Sequence, residues 1–382
     1  MRILMFGTYD TSAHPRVGIL AAGLRAHGWE VEECNVPLGL DTAARVAMLA
    51  QPWRVPLLVL RLARCWWQLA RTARRLPRPD VVVVGYLGHF DVRLARLLFR
   101  RTPIVLDHLI GASDTARDRQ LSGRFRQAML RAIDSGALRA ATVIVVDTEE
   151  HRDVLAQRDR ERAVVVPVGA PDAWFAAGPA ETVPSADGPA VEDPLRVVFF
   201  GLYTPLQGTP VIGAALAALA GARVEVTMIG QGQDEAETRR VAAANPAVRW
   251  IDWVPGTELP AVVAGHDVCL GIFGAGPKAL RVVPNKVFQG AAAGCAVVTS
   301  DTAPQRREFG DAALLVPPGD AEALARALLL LDQDRSELSR YKDAARRAAQ
   351  DRFSPAQVVR PLVEHLGRSS IRAAEGISRD GT

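Results

Sequence analysis

Short unbroken runs of apolar, mostly β-branched residues recur along the 382-residue chain at spacings that leave room for helices between them. In the first half they are Arg2 to Gly7 (RILMFG), Trp29 to Asn35, Val81 to Gly85, Pro103 to Asp107, Thr142 to Asp147 and Val164 to Val168. Such runs have no polar face to turn to water, so they belong in parallel sheets covered by helices on both sides. The pattern stops at residues 176–194 (AAGPAETVPSADGPAVEDP), a stretch without apolar period and with a linker's composition. It restarts at Leu195 to Gly201 (LRVVFFG) and continues through Arg223 to Gly230, Val248 to Trp253, Val268 to Ile272, Cys295 to Ser300 and Ala313 to Val316.

Helices are expected at Val17 to His27, where Gly28 is the stop signal, and at Pro210 to Ala220, Asp234 to Ala244, Leu259 to Ala264, Lys286 to Ala293 and Ala321 to Asp332. Helices around Leu338 to Gln350 and Pro355 to Leu366 finish the pattern. The expected fold class is α/β, with two Rossmann-like, doubly wound domains at 1–175 and 195–352 facing a central cleft. The ligand is expected where the carboxyl ends of the strands meet that cleft. Residues 353–368 are expected to form a helix packing back on the first domain, and 369–382 a mobile tail.

The 49% apolar content is enough for two buried cores. Cys34, Cys65, Cys269 and Cys295 are scattered, without a CxxC pair, which argues against a disulfide framework or a structural zinc. The opening MRILMFGTYD runs straight into a strand and lacks the parts of a secretory signal, so a cytoplasmic protein is expected. No apolar run reaches the ~18–20 residues of a membrane span. The net charge of +4 is too small to point to nucleic acid. It is unevenly placed, however: Thr42 to Pro79 holds eight arginines and no acid, with Trp53, Trp66 and Trp67 among them. Leu57, Leu60, Ala63, Trp67 and Leu69 could share a helical face with Arg54, Arg61, Arg64, Arg71, Arg74 and Arg75 elsewhere. Residues 54–78 thus read either as a peripheral contact with the inner face of the plasma membrane or as a solvated helix covering a sheet.

Five segments of the second half, in order over residues 195–353, resemble glycosyltransferase family 4, the group 1 glycosyl transferases of GT-B fold. They are VVFFGLYTPLQG, VTMIGQGQDEAETRRVA, WIDWVPGTELPAVVAGHDVCLGIF, KVFQGAAAGCAVVTSD and LLVPPGDAEALARALLLLDQD. No single piece is specific; the series in register is. The first half fits more loosely, through MFGTYDTSAHPRVGILAAGLRAHGWEV, VGYLGHFDVRLARLL, IVLDHLIGASDTARDR and VVDTEEHRDVL. The resemblance implies a retaining transferase that takes a nucleotide-sugar as co-substrate. It implies neither a prosthetic group nor a metal, the leaving diphosphate being met by amides, helix N-termini and cations. The acceptor would be a glycoside, a lipid-linked sugar or a small molecule.

Carried over residue by residue, the resemblance places the diphosphate near Gly201 and Gly208. Here the chain departs from the family. Gln207 stands where a lysine is expected, and Tyr203 or Thr204 where an arginine is expected. The replacement cation is expected to be Lys286, following Pro284-Asn285 at a helix start, helped by Lys278 or Arg281. Gln289 aligns with the glutamate that takes the ribose hydroxyls, and Arg281 lies near the other motif glutamate. Amides of Gly274, Ala275 and Gly276 are candidates for the sugar hydroxyls; Gly230, Gln231, Gly232, Trp253 and Val254 are candidates for the base. In the first half His108 is similar to the family histidine near the donor sugar. Tyr9, His14, Arg16, Asp107 and Asp114, with Asp118 and Arg119 close by, are the acceptor-side candidates. No side-chain base is implied, so these residues are assigned positioning roles. A sugar-nucleotide epimerase of the same architecture and a non-catalytic sugar-nucleotide binder are the alternatives.

Overall fold

The computed structural model describes residues 1–10, 15–39, 55–85, 88–109, 124–178 and 193–368. His14, Asp114, Asp118, Arg119, Trp53 and Arg54 lie outside them. The chain divides into two compact units, one of Met1–Pro167 with Pro355–Thr382, the other of Val168–Ser354.

The first unit is a six-stranded, all-parallel sheet of order β2-β1-β3-β4-β5-β6. Its strands are β1 (Arg2–Gly7), β2 (Glu30–Asn35), β3 (Val81–Val84), β4 (Ile104–Asp107), β5 (Val143–Val146) and β6 (Ala163–Val165). The period of two deals successive residues to opposite faces. Ile3, Met5, Val81, Val83, Val105, Val143 and Val145 pack on one side with Leu20 and Leu24 of helix α1 (Pro15–Ala26). Leu4, Phe6, Val82, Val84, Ile104, Leu106, Ile144 and Val146 pack on the other. The partners there are Leu69 and Ala73 of α2 (Val55–Ala73) and Val92 and Ala95 of α3 (Asp91–Leu98). The last part of the chain returns to this unit: Val358, Val359, Leu362 and Leu366 join the α1 core. Contact is close because position 23 is glycine; a Cβ there would lie 2.2 Å from the Pro355 carbonyl oxygen.

The second unit repeats the architecture with order β12-β11-β10-β7-β8-β9, again all parallel. The strands are β7 (Leu195–Phe200), β8 (Val224–Ile229), β9 (Val248–Ile251), β10 (Val268–Leu270), β11 (Ala296–Ser300) and β12 (Leu314–Val316). Trp174, on the short helix α4 (Asp172–Ala177), stacks on Phe200, so the division falls before Val168 rather than within residues 176–194. One sheet face is covered by Ile212 and Leu216 of α5 (Thr209–Ala218) and by Leu324, Leu328 and Leu331 of α6 (Ala321–Gln333). Strand boundaries fall one or two residues inside the sequence reading at several ends, where pairing stops before the apolar run does.

Candidate functional site

In a doubly wound sheet the strand order reverses at one place, and the loops leaving the strands there diverge to leave room for a ligand. In the second unit the reversal lies between β7 and β10. The loop 201–208 follows β7 and residues 271–276 follow β10, so the sequence-expected phosphate and sugar positions fall at the switch point.

Three loops are nested there by missing side chains. A Cβ at Gly208 would sit 2.3 Å from the Gly274 nitrogen, and one at Gly274 would sit 2.4 Å from the Pro205 oxygen. A Cβ at Gly230 would sit 2.0 Å from the Gly201 oxygen, and one at Gly232 2.3 Å from the Tyr203 oxygen. Main-chain hydrogen bonds tie the same pieces together: Tyr203 N donates to Gln231 O (3.0 Å), Phe273 N to Gln207 O (3.0 Å) and Gly230 N to Ile251 O (2.9 Å). Gly208 is left-handed at φ 65°, a conformation glycine adopts without strain, and it caps the N-terminus of α5. The result is a set of closely nested backbone loops at the N-terminus of α5, and backbone amides at a helix N-terminus suit a polyanion.

Lys286 supplies the charge. It lies in the first turn of the helix Asn285–Ala292, which is buried almost throughout. That helix can approach β10 because Gly290 has no side chain; a Cβ there would be 2.5 Å from Cys269 Cβ and Sγ. Lys286 therefore threads through the core, only 5% exposed, and ends with Nζ 3.6 Å from the centroid of the Phe199 ring. Nζ donates to Gln207 Oε1 at 2.5 Å and lies 3.0 Å from where a Cβ of Gly201 would be. Burial pushes its pKa down to about 7, and the neighbouring Cys269 opposes the fall. The structure thus puts Lys286 against the residue that holds the family lysine's place in the sequence. Phe199, the ring beneath the ammonium, was not legible as functional, since in the sequence it is one more apolar strand residue.

The other expected donor-side residues fall out differently. Gln289, one helical turn after Lys286, is buried at 8% exposure. Asn285 and Thr204 are half-buried. Arg281 and Lys278 belong to the short 3-10 turn after residue 277, and Arg281 Nε donates to Pro277 O (3.0 Å), a bond within its own turn. Ala275 and Gly276 are exposed, Val254 is half-buried and Trp253 is 78% exposed. Tyr203 is fully buried and packs edge-on against Phe199, so its side chain belongs to the core, not to a phosphate.

In the first unit the order reverses between β1 and β3, and there the polar groups pair with one another. Asp91 Oδ2 accepts from Thr8 N and Thr8 Oγ1, each at 2.8 Å, and Asp91 Oδ1 accepts from Trp66 Nε1 at 2.8 Å. Arg16 corrects the sequence reading. Its side chain is 2% exposed, with Nε donating to Asp107 Oδ1 (3.4 Å) and its terminal nitrogens to the carbonyls of Pro167 (2.5 Å) and Val166 (2.8 Å). That guanidinium ties β4 to the chain after β6, each of its three nitrogens donating to a partner inside the unit. Asp107 is likewise inside; burial raises its pKa, and Arg16 opposes the rise. Tyr9 is buried with its hydroxyl donating to Glu33 (3.2 Å), and burial raises its pKa. His108 stands at the end of β4 with its ring edge-on to His89, centroids 5.3 Å apart. Burial, then the neighbouring His89, push its pKa down to about 4, and among the described residues Nδ1 has no hydrogen-bond partner. His108 is therefore a neutral imidazole at neutral pH, able to meet a hydroxyl but carrying no charge. Among the described residues no cluster of His, Cys, Asp or Glu could hold a metal ion.

Residues 194–334 match the family model described as Glycosyl transferases group 1. The amylovoran biosynthesis glycosyltransferase AmsK of Erwinia amylovora is 28% identical over 187 residues, which is 47% of this chain and 46% of that protein, so the match spans about half the length of this curated relative. Among solved structures, HepE of Anabaena in complex with UDP superposes with TM-score 0.64 at 15% identity, covering 96% of this chain and 99% of that one. Sucrose-phosphate synthase from Thermosynechococcus elongatus gives TM-score 0.66 at 15% identity, covering 97% and 99%. A Burkholderia vietnamiensis α,α-trehalose-phosphate synthase (UDP-forming) gives 0.62 at 16%, covering 98% and 97%. Residues 194–334 are thus similar to the group 1 glycosyl transferases, and over nearly its whole length the chain has the GT-B fold.

Proposed function

We propose that this protein transfers a glycosyl group from a nucleotide diphosphate-sugar to an acceptor hydroxyl with retention of anomeric configuration, as a member of glycosyltransferase family 4. The observation that carries the reading is Lys286 Nζ held against Gln207 beside Gly201, at the switch point of a sheet whose loops are nested by glycine. A sugar leaving a diphosphate loads negative charge on the phosphate oxygen, and this loop meets that charge with the N-terminus of α5 and one ammonium. The bond from the anomeric carbon to the phosphate oxygen breaks, the bond to the acceptor oxygen forms on the same face, and the acceptor's proton passes to the leaving phosphate. No side-chain base is needed for such a transfer. A cytoplasmic location follows as part of the same reading.

The UDP complexes of HepE support a uridine nucleotide as the first donor to test. The expected outcome is that UDP-glucose or a related sugar among UDP-, GDP-, ADP- and dTDP-sugars raises the melting temperature, since a ligand bound to the native state alone stabilises it. The Lys286→Ala variant should lose the rise, and the product should keep the donor's anomeric configuration by NMR. Unchanged donor binding in Lys286→Ala would sink the assignment of the cation. Turnover of the nucleotide-sugar without acceptor would shift the reading to an epimerase.

A further inference from the structure

The helix α2 divides its residues between two environments. Leu58, Leu69 and Ala73 are buried against the first unit's sheet, and the indole of Trp66 is fixed inward by its bond to Asp91. On the outer side Leu57 is 46% exposed, Val59 57%, Leu60 68% and Trp67 62%. Leu69 therefore does not share a face with Leu57, Leu60 and Trp67, as the sequence spacing suggested; it lies in the core. Arg61, Arg64, Arg71, Arg74 and Arg75 are exposed, and the guanidinium of Arg71 lies 5.5 Å from the Trp67 ring centroid.

We infer that the outer face of α2 docks on an anionic lipid surface. Four large apolar side chains in water on one nineteen-residue helix are costly unless something covers them. The covering must also accept five guanidinium groups with no acid among them. A bilayer interface with anionic headgroups does both: leucine and tryptophan enter the boundary region while the arginines reach the phosphates. Among the described residues no helix is long and apolar enough to cross a membrane, so the helix would lie in the surface. An acidic protein would answer the arginines but would need its own apolar patch for Leu57, Val59, Leu60 and Trp67. The inference is independent of the donor site.

The test is co-sedimentation of the full chain with vesicles of phosphatidylcholine alone and of phosphatidylcholine mixed with phosphatidylglycerol. The protein should pellet with the mixed vesicles at low salt, not with the neutral ones, and salt should release it. The double variant Leu60→Ser, Trp67→Ser should stay in the supernatant, while Arg64→Gln and Arg71→Gln each weaken partitioning roughly fivefold. All these side chains are exposed, so the melting temperature and donor-induced shift of the variants should match the parent. Failure of the parent to bind mixed vesicles at low salt would overturn the inference. So would a concentration-dependent dimer in sedimentation velocity that the double variant abolishes, which would give the face to a second copy.

Discussion

The two units share a six-stranded parallel sheet with a single reversal of order, yet they treat the reversal oppositely. In the first unit a carboxylate of the protein, Asp91 at the start of α3, takes the Thr8 amide and hydroxyl. In the second the loops come together through glycines, and a lysine ends beside the loop 201–208 with a neutral amide as its partner. Among the described residues, side chains engage one another at the first switch point, and at the second a cation lies beside a helix N-terminus. The same topology therefore carries different chemistry in the two units, and the side chains at the strand ends decide which.

The strongest way to break this contrast is at Arg16. Arg16→Ala should leave Asp107 buried without its cation and destabilise the protein by about 3–5 kcal/mol, seen as a lower denaturant midpoint. If Arg16 were an acceptor ligand, activity would fall with stability intact. At the other switch point the signs reverse. Lys286→Met should raise the melting temperature, because burial of the ammonium opposes folding at any pH below the 10.5 of an exposed lysine. The same variant should lose roughly 10²–10³-fold in transfer rate. In the parent, donor affinity should decline as pH rises above about 7, because Lys286 must take up a proton to meet the diphosphate. Calorimetry in buffers of different ionisation heat would read that proton directly.

How much of this was legible beforehand differs by unit. The strands, both sheets and the glycine loop after β7 follow from apolar runs and glycines, since a parallel strand buried on both faces must be apolar throughout. Lys286 was legible as a cation at a helix start. Its burial was not, because that depends on Gly290 letting the helix lie against Cys269 across the fold. In the first unit Arg16 and Asp107 read as polar residues at strand ends, and sequence spacing does not say whether such groups face a ligand or each other.

Two smaller effects sharpen the comparison. The pKa of His108 lies near 4 against 6.5 for an exposed histidine, so between those values the unfolded chain binds the extra proton. Stability should fall as pH drops through that window, by at most roughly 3 kcal/mol, and His108→Asn should remove that part of the acid sensitivity. Denaturant titrations of parent and variant at several acidic pH values check it. At the far end, Trp253→Ala should change stability by less than about 0.5 kcal/mol, its side chain being 78% exposed. Nucleotide affinity should nevertheless fall about tenfold if the indole stacks on the base, as a titration with UDP would show.

The sequence alone determined the fold class, the repeat of the sheet and the order of the glycine loops that follow the strands, because these depend on local period and on glycine. The tertiary structure decided which charges are free to act. Whether a buried charge meets a ligand or another side chain depends on what lies within a few ångströms, and residues 79 positions apart, such as Gln207 and Lys286, become neighbours only when the sheet forms.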